Sequence, residues 1–184
     1  MRIVAGTARG RPLKGPRGAT LRPTADRVRE SIFNILGQWL DGMAVLDLYA
    51  GTGALSLEAL SRGAARAVMV DSSREAAALC RQNAATLQMT ERVEVVAVAI
   101  DARSLERIAR QGPFDLILAD PPYAGPEPGS VLALVGAAGL VRPGGRLVVE
   151  HDRRQDAPSS CPPLLREDQR RFGDTLVSFY RSVP

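Results

Sequence analysis

The sequence predicts an α/β fold: a mainly parallel, seven-stranded sheet with helices on both faces, closed by a C-terminal antiparallel hairpin and preceded by a small basic hairpin. Three observations predict it. From residue 43 onward, short apolar runs alternate with segments of helical spacing, the pattern of a parallel sheet with crossover helices. A glycine-containing turn, Ala50-Gly51-Thr52-Gly53, joins the first run to the first of those helices. Near the end, Leu164 to Arg171 and Thr175 to Arg181 are joined through Phe172-Gly173-Asp174, which reads as a hairpin.

Composition narrows the class. A chain of 184 residues with 45% hydrophobic residues suits one globular domain with a substantial core. No apolar run approaches a membrane span, and Met1-Arg2-Ile3-Val4-Ala5-Gly6 lacks the apolar region of a signal peptide, so a cytoplasmic protein is expected. Cys80 and Cys161 are far apart and His151 is the single histidine, so no metal site is expected and both thiols should be reduced. Charge is uneven. Residues 1–25 carry Arg2, Arg9, Arg11, Lys14, Arg17 and Arg22 with no acid; this +6 against +4 overall leaves −2 for the rest. A basic segment on a near-neutral body is the footprint of nucleic-acid binding, although a solvated tail has the same composition.

Taken in order, residues 2–6 and 11–14 can pair as a small hairpin. Pro23 keeps Arg22 out of the helical region, and Thr24 is placed to cap a helix. Val28, Ile32, Ile35, Leu36 and Trp39 recur at three- and four-residue spacing, predicting an amphipathic helix over 25–40. Arg22, Arg27 and Arg29 extend the basic patch onto its start. Strands follow at 43–49, 67–71, 93–97 and 114–119, with helices at 54–62, 73–87 and 102–110 between them. A helix at 129–138 is followed by residues 140–150, a turn feeding a fifth strand. Residues 152–163 hold three prolines and read as a loop. The organisation expected is a basic arm, 1–22, and a larger domain, 23–184.

Chemistry concentrates at the carboxyl ends of the strands, where open α/β sheets bind ligands. Asp120-Pro121-Pro122-Tyr123 follows a buried strand that its prolines terminate. The Asp120 carboxylate and the Pro121 carbonyl can accept hydrogen bonds from an exocyclic amine, and Tyr123 can stack on a flat base. A proline turn with a surface tyrosine is the plain alternative. At the glycine turn, Gly51 and Gly53 allow a close backbone approach, and Ser56 stands where a dinucleotide fingerprint would have its third glycine. Asp47, just before the turn, would repel a pyrophosphate but suits a cation. Asp71 closes the next strand, where an acid binds ribose hydroxyls. Asp101, before Ala102, is placed either to meet an adenine or to cap a helix.

These motifs in this order, Asp47-x-x-x-Gly51-x-Gly53, Asp71, Asp101 and Asp120-Pro121-Pro122-Tyr123, resemble those of class I S-adenosylmethionine-dependent methyltransferases acting on exocyclic amines, a Rossmann-like fold. Arg9-Gly10-Arg11, Leu21-Arg22-Pro23-Thr24, Asp26-Arg27-Val28-Arg29-Glu30-Ser31-Ile32-Phe33-Asn34 and Leu57-Glu58-Ala59-Leu60-Ser61-Arg62-Gly63 are similar to the bacterial 16S rRNA guanine-N2 methyltransferases of the RsmD family. The resemblance spans nearly the whole chain. It implies that Asp47, Gly51 and Gly53 hold the methionine end of S-adenosyl-L-methionine, Asp71 with Ser72 the ribose, and Asp101 with Ala102 the adenine. Asp120, the Pro121 carbonyl, Pro122 and Tyr123 would hold the guanine, and Arg9, Arg11, Arg22, Thr24 and Arg27 the RNA. The implied product is S-adenosyl-L-homocysteine, and the implied partner is 16S rRNA within the 30S subunit or a late assembly intermediate. Two rivals share parts of the pattern: a DNA adenine-N6 methyltransferase, and a catalytically silent RNA-binding assembly factor.

Overall fold

In the computed structural model, residues 1–16, 23–122 and 125–183 are described, with 23–25 described by backbone alone. The chain divides into two compact units, Met1–Val98 and Ala99–Pro184.

The first unit begins with the arm. Arg2 pairs with Pro12 in an antiparallel bridge, Ile3 N donates to Arg11 O at 3.0 Å, and Leu13 N donates to Met1 O at 3.0 Å. The expected hairpin is thus present in reduced form, with Ile3, Ala8 and Leu13 buried. Helix α1 spans Pro23–Leu36 rather than 25–40. Pro23 therefore opens the helix, as proline does readily at a first helical position, and Thr24 lies inside the first turn instead of capping it. Gly37, at φ 108°, ends α1 in a backbone region that favours glycine. That early stop removes Trp39 from the apolar stripe: it is 65% exposed, whereas Val28, Ile32 and Phe33 are buried. Arg22 lies outside the described residues.

Strands β1 (Ala44–Leu48), β2 (Arg66–Asp71) and β3 (Val93–Ala97) are parallel, in the order β3-β2-β1. β1 and β2 are buried along almost their whole length, as strands covered on both faces must be. Helix α2 (Ala54–Ser61) follows β1 and α3 (Arg74–Thr86) follows β2. Ser73 caps α3 by accepting Ala76 N at 3.2 Å.

The second unit holds α4 (Ala102–Ala109), β4 (Phe114–Ala119), α5 (Pro128–Ala137) and strands β5 (Val141–Asp152), β6 (Ser160–Cys161), β7 (Leu164–Phe172) and β8 (Thr175–Ser182). Its strands run in the order β4-β5-β8-β7-β6; β4 and β5 are parallel, and the others pair antiparallel. The described residues therefore carry eight strands where seven were expected. The extra one is β6, a two-residue strand inside the expected loop, paired through Ser160–Leu165 and Cys161–Leu164. β5 is longer than expected. Its register with β4 jumps from Phe114–Val141 to Leu116–Arg146, so Arg142-Pro143-Gly144-Gly145 leave the ladder as a bulge. Arg142 meets Asp115 there at 2.6 Å. Phe114, Leu147, Val149, Phe179 and Tyr180 fill the core of this unit, and the Tyr180 hydroxyl donates to Pro158 O at 3.0 Å. No helix among the described residues is long and apolar enough to cross a membrane.

Candidate functional site

In the first unit the site is built around the turn after β1. Tyr49, Gly51 and Gly53 have φ of 63°, 56° and 75°. This run of left-handed residues turns the chain sharply between β1 and α2. Asp71, at the end of β2, fastens the turn: its Oδ2 accepts Gly51 N at 2.9 Å and its Oδ1 accepts Ser73 N at 2.9 Å. A carboxylate offers about four acceptor positions, so roughly two remain for a ligand's hydroxyls. Asp47 is buried, and its Oδ2 accepts both the Ser56 hydroxyl at 2.6 Å and Ser56 N at 3.2 Å. Ser56, the departure from a third glycine, thus holds the Asp47 carboxylate at the start of α2.

Gly53 packs closely. A Cβ there would lie 3.1 Å from Met69 Sδ and 3.4 Å from Cys80 Sγ. Gly53→Ala should therefore destabilise by about 1–2 kcal/mol from the left-handed backbone alone, which urea unfolding will measure. The Cys80 thiol donates to Gly51 O at 3.3 Å and is pushed up to about 12, first by burial and then by the charges of Asp47 and Asp71. It stays protonated, buried beside the carboxylates of Asp47 and Asp71.

The arm is bolted to this unit by residues to which sequence reasoning gave no role. Glu58, buried in α2, accepts Val4 N at 2.8 Å, Ala5 N at 3.0 Å and Arg62 Nε at 2.8 Å, and pairs with Arg29 Nε at 3.5 Å. The Ser61 hydroxyl accepts Ala8 N at 2.9 Å and donates to Ala5 O at 2.6 Å. Gly6 sits so close that a Cβ would fall 1.9 Å from Ser61 O. Farther along, Asn83 accepts Lys14 N at 2.8 Å and donates to Thr52 O at 2.9 Å, tying the arm to the glycine turn. Buried polar side chains that saturate distant backbone groups leave no periodic trace in a sequence; only their position in an apolar helix face hinted at them.

The basic residues divide. Arg29, expected in the surface patch, is buried between Glu58 and Asp26 (2.9 Å). Its guanidinium is needed inside to balance Glu58. Arg11 donates to Thr86 O at the end of α3. Arg2, Arg9 and Arg27 are exposed and line one recess of about 430 Å³ together with Asp26 and Glu30.

In the second unit Asp120 follows directly after β4 and Pro121 is buried behind it. The carboxylate is open to solvent on one side but crowded by protein on the others, and this loss of water pushes it up to about 6. Pro122 O accepts Gly125 N at 2.6 Å, so the chain turns sharply here. Tyr123 lies outside the described residues. Asp101 caps α4: it accepts Ser104 N at 2.8 Å, while the Ser104 hydroxyl accepts Asp101 N at 3.0 Å. These bonds hold its carboxyl below the usual range. Asp101, Ala102 and Ser72 are all exposed.

Comparison with known proteins covers the whole chain. The family model described as "Conserved hypothetical protein 95" matches residues 1–181. YlbH of Bacillus subtilis, provisionally named an rRNA methyltransferase, is 35% identical over 181 residues, 98% of each chain. The ribosomal RNA small subunit methyltransferase D of Haemophilus influenzae is 31% identical over 170 residues, 91% of this chain and 87% of that one. Among solved structures, yhhF of Escherichia coli, provisionally described as a methyltransferase, is similar with a TM-score of 0.83 at 31% identity, covering 100% of this chain and 98% of that one. The fold is the Rossmann-like one of methyltransferases.

Proposed function

Because the chain belongs to the RsmD family of rRNA methyltransferases, we propose that it transfers a methyl group from S-adenosylmethionine to the exocyclic N2 of a guanine in 16S rRNA. The observation that carries this reading is Asp120: a carboxylate held above its ordinary range by crowding, next to a proline-fixed carbonyl, at the carboxyl end of β4. Such a pair accepts both hydrogens of a planar amine and turns the nitrogen lone pair outward.

The residues of the first unit suit the donor. The carboxylates of Asp47 and Asp71 at the glycine turn match a ligand with a sulfonium and an ammonium and no phosphate, and Asp47 would repel a pyrophosphate. Asp47, Gly51 and Gly53 would hold the methionine end, and Asp71 and Ser72 the ribose. Bound there, S-adenosylmethionine supplies a methyl group on a cationic sulfur. Asp120 and the Pro121 carbonyl orient the amine and stabilise the positive charge that develops on nitrogen, without reorganising as it develops. Tyr123 and Pro122 would stack on the base, contributing on the order of 1–3 kcal/mol. A guanine inside folded RNA must be splayed out to reach them.

Arg2, Arg9 and Arg27, converging on one recess, would take RNA phosphates. Arg9→Ala combined with Arg27→Ala should weaken RNA binding and flatten its salt dependence by a slope of about 1.5 for the two contacts, measured by filter binding across a salt series. Asp71→Asn should weaken S-adenosylhomocysteine binding by about 10- to 100-fold, the loss of a charge-assisted bond. Isothermal titration tests this, and unchanged affinity in the variant would remove Asp71 from the donor site.

A further inference from the structure

Glu150 lies near the end of β5, and the chemistry above does not use it. The parallel ladder pairs Ala119 with Val149, so the next residues, Asp120 and Glu150, come side by side at the carboxyl end. Strands in a sheet lie about 4.8 Å apart, and residues opposite one another in a parallel pair project to the same face. On its other side Glu150 pairs with Val177 of β8. The groups sharing its face are therefore Leu118 and Asp120 from β4, Val148 and Asp152 from β5, and Thr175, Val177 and Phe179 from β8.

The charges around Glu150 are mostly spoken for. Asp152 is held by Arg154 at 2.8 and 2.9 Å. Arg146 and Arg181, farther down the same face, both pair with Glu167. His151 points to the opposite face, its Nε2 2.9 Å from the Ser178 hydroxyl. Helix α5, which packs on β5, carries no charged residue from Pro128 to Ala137. Glu150 thus faces a second carboxylate, and its acidity changes accordingly: it is pushed up to about 8, first by burial and then by the Asp120 charge.

We propose that Glu150 is a positioning residue of the methyl-transfer site: it shares one proton with Asp120, holding that proton itself while Asp120 keeps the single charge that faces the substrate amine. This rests on the amine-methylation reading above. Two carboxylates so close cannot both ionise freely, so the pair titrates as a unit. In the step itself the amine lone pair forms the new nitrogen–carbon bond, the carbon–sulfur bond of the donor breaks onto sulfur, and one N–H proton passes to the Asp120 carboxylate. Asp120 is open to solvent on one side and returns that proton to water. A protonated Glu150 keeps its neighbour ionised without adding a second charge to the site.

The test is carboxyl-carbon NMR titration of the whole protein, with the wild type, Asp120→Asn and Glu150→Gln compared. The wild type should show two coupled steps, near pH 6 and pH 8. In Asp120→Asn the Glu150 step should fall by about one pH unit, because a like charge has gone. The pH profile of single-turnover methyl transfer should lose its upper inflection in Glu150→Gln. A Glu150 step unmoved by Asp120→Asn, a wild type in which both groups titrate near pH 4, or superimposable rate profiles would each overturn the proposal. The titration needs no substrate, so it judges the carboxylate pair even if the methylation reading fails, and the wild-type spectrum suffices if a variant does not fold.

Discussion

Asp120→Asn should lower the rate of methyl transfer by about a thousandfold, within the range expected for removing a positioned acid–base group, while leaving S-adenosylhomocysteine affinity within about twofold. The substitution preserves shape, so the loss is chemical. Asparagine keeps one carbonyl acceptor but presents an NH₂ group beside an amine that must donate. Two donors then face each other, and the lone pair is no longer turned toward the methyl group. The charge that would offset the developing cation is gone as well, and charge-assisted bonds are roughly twice as strong as neutral ones. The proposed donor contacts of Asp47, Gly51, Gly53 and Asp71 are untouched. Single-turnover kinetics beside calorimetric titration separate the two effects. A variant with more than a tenth of the wild-type rate would remove Asp120 from the chemistry.

Glu58→Ala should be the most damaging single change for stability, at about 3–5 kcal/mol. Glu58 lies fully inside the protein; its carboxylate accepts hydrogen bonds from the Val4 and Ala5 amides and Arg62, and forms an ion pair with Arg29. Removing it leaves the buried Arg62 guanidinium without its anion, Arg29 with Asp26 alone, and two backbone amides without an acceptor. Arg62 keeps its position 4.9 Å over the Phe33 ring, but a ring face replaces only part of a carboxylate. For a chain of this size the midpoint of thermal unfolding should fall on the order of 10 °C. The arm should loosen first, so amide exchange at Val4 and Ala5 should accelerate before that of β1. Glu58→Gln retains one acceptor and should cost less. A loss below about 1 kcal/mol in Glu58→Ala would mean that the arm is held by its apolar residues, Ile3, Ala8 and Leu13, instead.

What could be read from the sequence follows the physics of each element. β1, β2 and β4 are buried runs and β3 is a half-exposed one; the limits of all four emerge within a residue or so. Asp120 stands at a strand end that two prolines mark, and Asp71 closes an apolar run about 20 residues after the glycine turn. The expected helix over 25–40 ran too far: spacing alone put Trp39 on the apolar face, but Gly37 turns the chain away first. β6 was missed because two residues carry no periodicity. The early part of β5 was read as a turn because its four bulged residues look like one locally; only pairing with β4 on the far side keeps them within the strand. Arg29 was assigned to the surface by type, since nothing local signals that Glu58 waits inside to pair with it. Glu150 carries no local signal for the same reason: Asp120 is thirty residues away in sequence and adjacent only through the register of two strands.

The activity proposed for this chain is methylation of the N2 of a guanine in small-subunit rRNA. The most direct measurement offers labelled S-adenosylmethionine with 30S subunits lacking the modification, naked 16S rRNA and duplex DNA in parallel, and identifies the methylated nucleoside. N2-methylguanosine is expected from the 30S subunits. N6-methyladenine from the DNA, or no methylated nucleoside from any substrate under conditions where the cofactor binds, would contradict it.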